Sequence, residues 1–264
     1  MPTLSAAIVV YNGASEALTA VASILKYTQK YPLTLYLIDN ASPDGSGELL
    51  KSALNHGALR CNAQQKVKVI CSEKNIGFGS GHNLVLPELT SDYHFILNPD
   101  ILLERDVLSD MADWMETHPQ AVMARPGLRY PDGREQVLPL RRCSVLALVY
   151  RQLPWLGFLK RFNDRYVMAD KDLTVPTQIE FCTGSFTMMR TETMRQIGGF
   201  DEGYFVYVED ADLTQKALQV GEVYLLPQFS AIHVWHRAPH TNFSCFTMQL
   251  KGMLRYFRKW GLRF

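Results

Sequence analysis

Glu209-Asp210-Ala211-Asp212 places three carboxylates in four positions where a helix begins, just after Gly198-Gly199-Phe200-Asp201-Glu202-Gly203. Acids in a first helical turn are favoured by the helix dipole, and Asp212 with Lys216 reads as a solvated i,i+4 pair. A cap does not need three acids, however. Their mutual repulsion raises proton affinity, which suits one of them to act as a base near neutral pH. Downstream stands His233-Val234-Trp235-His236. On a regular strand His233 shares a face with Trp235 while His236 points the other way, so the two imidazoles do not serve one site. A lone histidine is ordinarily a surface or core residue; beside an acid-rich crevice, a metal-ligand role for one of the two competes with that explanation.

In parallel α/β sheets ligands sit outside the carboxyl ends of the strands, and four such ends here are polar. They read Val10-Tyr11-Asn12-Gly13, Asp39-Asn40-Ala41-Ser42, Asn75-Ile76-Gly77-Phe78-Gly79-Ser80-Gly81-His82-Asn83 and Asn98-Pro99-Asp100. Each alone has an ordinary explanation as a turn, a cap or a loop. Together they converge on one crevice. The glycine loop invites a dinucleotide-binding reading, but that fingerprint needs glycine where His82 stands and belongs after the first strand, not the third. A tight turn that lets a helix pack closely on the sheet explains the loop about as well as ligand contact does.

Short apolar runs at 4–10, 33–39, 67–71 and 93–98 read as strands buried on both faces, and helical periodicity marks 15–27, 46–55 and 106–118. Strand followed by helix, repeated, predicts a mostly parallel sheet with right-handed crossovers. Beyond about residue 124 the pattern changes, and 138–172 is basic, aromatic and punctuated by proline, which predicts an irregular insertion or lid. Regularity returns with an expected strand at 179–190, helices from Thr191 and over 209–220, and a strand at 223–226. We expect one domain over 1–264, its two halves meeting where the pattern changes near residue 124.

Twenty-seven Lys and Arg against 26 Asp and Glu leave a formal charge of +1 on 264 residues, so no global field favours nucleic acid. The cysteines, Cys61, Cys71, Cys143, Cys182 and Cys245, form no CxxC pair, and a reduced, cytoplasmic setting is the simpler reading. No apolar run approaches the ~20 residues of a membrane span, and the N-terminus lacks the pattern of a secretory signal. Lys251, Arg255, Arg258, Lys259 and Arg263 interleave with Tyr256, Phe257, Trp260 and Phe264. That composition suits either peripheral contact with an anionic membrane or a helix packing its aromatic side on the domain.

The motifs, in this order and across nearly the whole chain, resemble the family 2 inverting glycosyltransferases of GT-A fold, especially the bacterial rhamnosyltransferase-like branch. The residues carrying the resemblance are 9–12, 39–42, 75–79, 97–100, 199–202 and 209–212. It implies an α/β Rossmann-like sheet flanked by helices, and nucleotide-sugar contacts at Tyr11, Asn12, Asp39, Asn75, Gly77, Phe78, Gly79, Asn98 and Asp100. Asp39 would meet the nucleobase or ribose. Asn98 and Asp100 occupy the family's DxD position, with Asp100 as a ligand to Mg²⁺ or Mn²⁺ and His233 or His236 completing that site. Asp210 matches the catalytic base, and adjacent Glu209 competes for the role. The resemblance favours dTDP-rhamnose as donor, UDP-sugars next, and a saccharide or lipid-linked saccharide of surface polysaccharide synthesis as acceptor. Two alternatives are a sugar-phosphate nucleotidylyltransferase, disfavoured because no Lys or Arg stands between Val10 and Lys26 to hold a triphosphate, and a silent sugar-binding module.

Overall fold

The computed structural model describes residues 1–235 and 243–263, with backbone alone at 243–246. β1 (Leu4–Val10) leads to α1 (Ala14–Tyr27), β2 (Leu33–Asp39) to α2 (Ser46–Asn55), and β3 (Gln65–Cys71) to a short α3 (Phe78–Asn83). β4 (Tyr93–Leu97) and a two-residue β5 (Ile101–Leu102) precede α4 (Val107–Glu116) and β6 (Ala121–Arg129). β1 to β4, α1, α2 and α4 fall within a residue or two of the spans expected, and β1, β2 and β4, covered on both faces, are almost wholly buried. On one face Val21, Ile24, Met111 and Met115 pack on Ile8 and Leu35. On the other, Val9 and Ile38 meet Met194, Phe200 and Leu213. Asp106 links two helices: one carboxylate oxygen caps α4 through the Ser109 amide at 3.1 Å, and the other takes the Gln29 amide beyond the end of α1 at 3.1 Å.

The later elements are α5 (Val145–Gln152), α6 (Lys160–Tyr166), β7 (Thr177–Gln178), β8 (Phe186–Arg190), α7 (Thr191–Gln196), α8 (Glu209–Ala217), β9 (Glu222–His233) and α9 (Phe243–Trp260). Strand order is β3-β2-β1-β4-β8-β6-β9-β5, with β7 also paired to β9. β3, β2, β1 and β4 run parallel, β8 enters antiparallel between β4 and β6, and β9 returns parallel to β6. β6 carries the sheet without a break across residue 124.

Three expectations are corrected. The run 179–190 is not one strand: only Phe186–Arg190 is, because Thr183-Gly184-Ser185 turns and the Ser185 carbonyl accepts the Asn98 amide at 2.9 Å. The segment 138–172 is not irregular throughout, since it folds as α5, capped by Ser144, and α6, separated by the turn at Pro154. β9 continues well past 226 to His233, across an irregularity in register opposite Pro126 and Gly127 that hides it from a period-two reading.

A fourth correction concerns Asp212. It is no solvated partner of Lys216, being fully buried. Its carboxylate accepts from Trp260 Nε1 at 2.7 Å, Lys259 Nζ at 2.9 Å and the Tyr204 hydroxyl at 3.3 Å, while Lys216 donates to the Gly199 carbonyl. Asp201 takes Arg255 at 2.7 Å and Lys259 at 3.2 Å. Asp201 and Asp212 thus bind α9, whose Tyr256 is buried among Cys143, Ala147, Tyr166 and Phe181. The aromatic side of the C-terminal helix packs on the domain.

α8 starts from two non-glycine residues in the left-handed region, Tyr207 at φ 70° and Val208 at φ 73°. Such residues cost on the order of 1–3 kcal/mol each and persist only where the surroundings fix them. Here α9 fixes them: a Cβ on Gly252 would stand 2.9 Å from the Tyr207 carbonyl oxygen.

Gly252→Ala is therefore expected to destabilise by about 1–3 kcal/mol, against the roughly 1 kcal/mol gain that helix propensity alone predicts. Thermal denaturation decides the sign, and a raised Tm would show that α9 does not press on Tyr207. Burial works against the charged form of Asp201, but Arg255, the Gly203 amide and Lys259 more than offset it and draw its carboxyl down to about 2. A lowered folded value means stability that is present above the unfolded carboxyl range and lost as pH falls toward 2. Because Arg255 and Lys259 are partly exposed, Asp201→Asn should cost on the order of 1 kcal/mol at pH 7. The deficit should shrink as unfolding is measured in progressively more acid buffer.

Candidate functional site

Asp210 stands in the first turn of α8. Its Oδ2 accepts the Gly184 amide at 3.1 Å and its Oδ1 the Ala211 amide at 2.8 Å. Gly184 comes from the turn that interrupts the expected strand, and even a Cβ there would crowd Phe78 at 3.2 Å and Asp210 at 3.4 Å. Burial pushes the Asp210 carboxyl up, and the two amides oppose this by favouring the charged form. Glu209 is buried, its Oε2 makes no hydrogen bond, and burial followed by the Asp210 charge drives its carboxyl up. Burial pushes both carboxyls up, but their surroundings differ: two amides orient Asp210, whereas the Oε2 of Glu209 has no donor.

The second cluster forms where β9 ends. Antiparallel pairing sets His233 opposite Ile101, beside Asp100. His233 Nε2 lies 3.4 Å from Asp100 Oδ1, and neither buried atom makes a hydrogen bond. The outer oxygen of Asp100 accepts the Trp235 amide at 3.0 Å. Gln136 fixes the imidazole: its Nε2 donates to the His233 carbonyl at 2.8 Å, which turns its Oε1 toward Nδ1 at 2.9 Å. Nδ1 is then the protonated nitrogen and Nε2 offers a lone pair. A carboxylate oxygen and an imidazole nitrogen, buried, facing and unpartnered, fit a divalent cation that keeps positions for other ligands. Among the described residues no group of three His, Cys, Asp or Glu could hold a metal, so the described residues offer this pair of protein ligands. His236 lies outside the described residues.

A cavity of about 410 Å³ brings the clusters together: Phe78, Asn98, Glu209, Asp210, His233 and Trp235 all line it. Its apolar wall comes from the helical insertion through Leu148 and Tyr166 and from α9 through Met253 and Phe257. Trp235 stacks on His233 with centroids 6.2 Å apart and on Tyr130 at 6.0 Å.

Other expected residues lie off this cavity. Tyr11 is half-exposed. Asn12, left-handed at φ 62°, donates its amide to Ser42 at 2.9 Å, and Asp39 accepts the Ser42 amide at 3.3 Å, so the ends of β1 and β2 are tied together. Asn75 serves the scaffold, accepting from Asn40 and from the Gly77 amide at 3.0 Å each. Gly77 and Gly79 are buried joints: a Cβ on Gly77 (φ 88°) would collide with the Phe205 carbonyl, and one on Gly79 would meet Phe200 at 2.9 Å. His82 fills the core beside Phe78 and Phe200, held neutral by burial, which lowers it to about 3. Gln136 and Gly184 escaped the sequence reading. Gln136 sits 97 residues from its partner, where no spacing signals it, whereas the Gly in Thr183-Gly184-Ser185 was a visible turn signal inside an assumed strand.

The chain was compared with known proteins. The family model for Glycosyl transferase family 2 matches residues 5–198. Rhamnosyltransferase WbbL of Escherichia coli K12 is 28% identical over 189 residues, covering 68% of this chain and 69% of its own. The N-acetylglucosaminyl-diphospho-decaprenol L-rhamnosyltransferase of Mycobacterium tuberculosis is 25% identical over 244 residues, covering 84% and 72%. Among solved structures, the Pyrobaculum calidifontis mannosyltransferase PcManGT, in complex with GDP-Man and Mn²⁺, superposes with TM-score 0.63 at 18% identity over 98% of this chain and 64% of its own. GalNAc-T7 with UDP, GalNAc and Mn²⁺ gives TM-score 0.69 at 17% identity, over 98% of this chain and 48% of its own. This chain thus spans less than two thirds of either of those longer proteins. These likenesses set aside the nucleotidylyltransferase and dinucleotide-binding readings, and they establish the fold as GT-A. With the family model covering most of its length, the chain belongs to glycosyltransferase family 2, in the branch of the rhamnosyltransferases, and is a glycosyltransferase.

Proposed function

We propose that the protein moves a sugar, rhamnose in preference to others, from a nucleotide diphosphate to a saccharide or lipid-linked saccharide acceptor by one inverting displacement, with Asp210 as base. The observation that carries this reading is the unequal treatment of Glu209 and Asp210 in one cavity, with two amides orienting Asp210 and none reaching the Oε2 of Glu209. An acceptor hydroxyl is a poor nucleophile until a positioned carboxylate takes its proton. Asp210 receives that proton, and Trp235 at the cavity wall offers a ring face to a sugar. Asp100 and His233 hold Mg²⁺ or Mn²⁺ through the facing Oδ1 and Nε2, and Asn98 lines the cavity beside them. When bound, the cation neutralises charge on the departing diphosphate. Tyr11, Asn12 and Asp39 receive the nucleoside at the ends of β1 and β2. The names of the curated relatives favour rhamnose as the sugar, which we assign to a dTDP-rhamnose donor ahead of UDP-sugars, and that of the mycobacterial one favours a lipid-diphosphate acceptor. Among the described residues no helix is long and apolar enough to cross a membrane; we place the protein in the cytoplasm, at the inner face of the cell membrane where such an acceptor is presented.

Asp210→Asn keeps size and most hydrogen bonding but loses proton acceptance. Transfer should fall roughly 10²-fold or more with donor affinity retained, and NMR of the product should show an inverted anomeric centre. Near-normal turnover in Asp210→Asn with a dead Glu209→Gln would exchange the roles, and a retained configuration would reject the single displacement. Asp100→Ala should weaken nucleotide-diphosphate binding in Mn²⁺ far more than in chelator, whereas an Asp39 substitution should weaken it equally in both. Gln136→Met frees the imidazole to rotate, and an apparent Mn²⁺ affinity lowered by about 10-fold is expected by titration. Unchanged Mn²⁺ affinity in both Asp100→Ala and Gln136→Met would remove the cation from this pair.

A further inference from the structure

We propose that the tip of the α5–α6 hairpin docks this enzyme on an anionic membrane surface by inserting Trp155 and Phe158 among the lipid headgroups. At 74% and 73% exposure, these are the most exposed aromatic residues among those described. They do not belong to a loose loop. The Leu156 amide donates to the Leu153 carbonyl at 3.0 Å, the Gly157 amide to the Trp155 carbonyl at 2.9 Å, and the Leu159 amide to the Leu156 carbonyl at 2.9 Å. Leu159 is buried behind the turn. A rigid turn therefore holds two large rings in solvent, an arrangement that costs solubility and that an interface between water and hydrocarbon relieves, the indole of Trp being suited to headgroup depth.

The charge around the tip matches one occupant. Between Arg141 and Lys171 the chain carries seven basic residues and two acidic ones, in a protein whose whole formal charge is +1. Arg151 ends α5, while Lys160 and Arg161 open α6, so cations flank both rings. Both acids are engaged within the hairpin region, Asp164 by Lys160 at 2.6 Å and Asp170 by Arg141 at 2.9 Å. Aromatic rings set in a cationic collar complement anionic phospholipid, with each basic group near the surface adding to the attraction. The C-terminal helix, the other basic and aromatic segment, is committed elsewhere: Arg255 and Lys259 bind Asp201, Lys259 and Trp260 bind Asp212, and Tyr256 is buried.

The position also serves the site. Leu148 of α5 and Tyr166 of α6 line the cavity, and Trp155 stands in the turn just beyond the end of α5. An acceptor anchored in the bilayer would thus be presented close to the cavity wall. That purpose rests on the lipid-linked reading; the docking itself is measured without acceptor or donor.

The full chain is co-sedimented with vesicles of phosphatidylcholine alone and of phosphatidylcholine mixed with phosphatidylglycerol, at low and high salt. Binding to the mixed vesicles, weakened by salt, is expected. Trp155→Ser/Phe158→Ser should lower the partition coefficient by about tenfold or more, and Arg151→Glu/Arg161→Glu should lower it on mixed vesicles only. Leu250→Ser/Leu254→Ser on the exposed face of α9 should leave it unchanged. Wild-type partition in the aromatic double variant, loss confined to the α9 variant, or no vesicle binding by the wild type overturns the proposal. Transfer to a water-soluble acceptor by the aromatic double variant should stay at the wild-type rate, so failure of docking and failure of the proposed reaction are separate outcomes.

Discussion

A carboxylate with no exposed surface has to find donors inside the protein, and Asp212 finds all three of its donors in places that shape the active site. Two lie on α9, so the last helix must return to the start of α8 and lie along it. Once there, α9 supplies one wall of the catalytic cavity and sets Gly252 against the Tyr207 carbonyl. The left-handed pair Tyr207–Val208 then aims the following residues, and Asp210 turns into the cavity toward the Gly184 amide. Breaking such a buried arrangement by removing one partner costs on the order of 3–5 kcal/mol. The acidic run that reads as one motif therefore divides its labour: Asp212 holds the helices together so that Asp210 can be held in place.

A similar economy joins the two halves of the sheet. Asn83 at the end of α3 accepts the Phe200 amide at 2.9 Å and donates to the Phe200 carbonyl at 3.0 Å, while the Phe78 amide donates to the Phe205 carbonyl at 3.0 Å. The glycine loop is thus the joint on which the segment leading to the acids is hung. Its glycines permit backbone to approach backbone there.

What the sequence made legible follows from the range of the interactions involved. β1, β2, α1, α2 and α4 are written in local periodicity, since each buries a face set by its own neighbours. Glu209, Asp210, Asp100 and His233 were legible as residue types beside strand or helix ends. The partner of Asp212 was misread because Lys216 is the local candidate, whereas Lys259 and Trp260 arrive from 47 and 48 residues away. Gln136 was invisible for the same reason. The strand assigned to 179–190 failed where apolar composition outweighed a turn signal, although that turn delivers the amide that orients Asp210.

As the proposed cation site, the pair Asp100 and His233 makes chemical sense because it is small. A divalent cation held by one carboxylate and a neutral imidazole keeps net positive charge, and two carboxylates in the same place would cancel it before any diphosphate arrived. Asn98 at the first position of the motif leaves that charge in place while still presenting a polar side chain to the cavity. With so few ligands, affinity has to come from fixed geometry. The chain spends hydrogen bonds on orientation accordingly: the Trp235 amide fixes one oxygen of Asp100, Gln136 fixes both the ring and the carbonyl of His233, and the register of β9 against β5 sets the two residues face to face. On that proposal, a cation held by so few protein ligands would need the donor's diphosphate to complete its coordination.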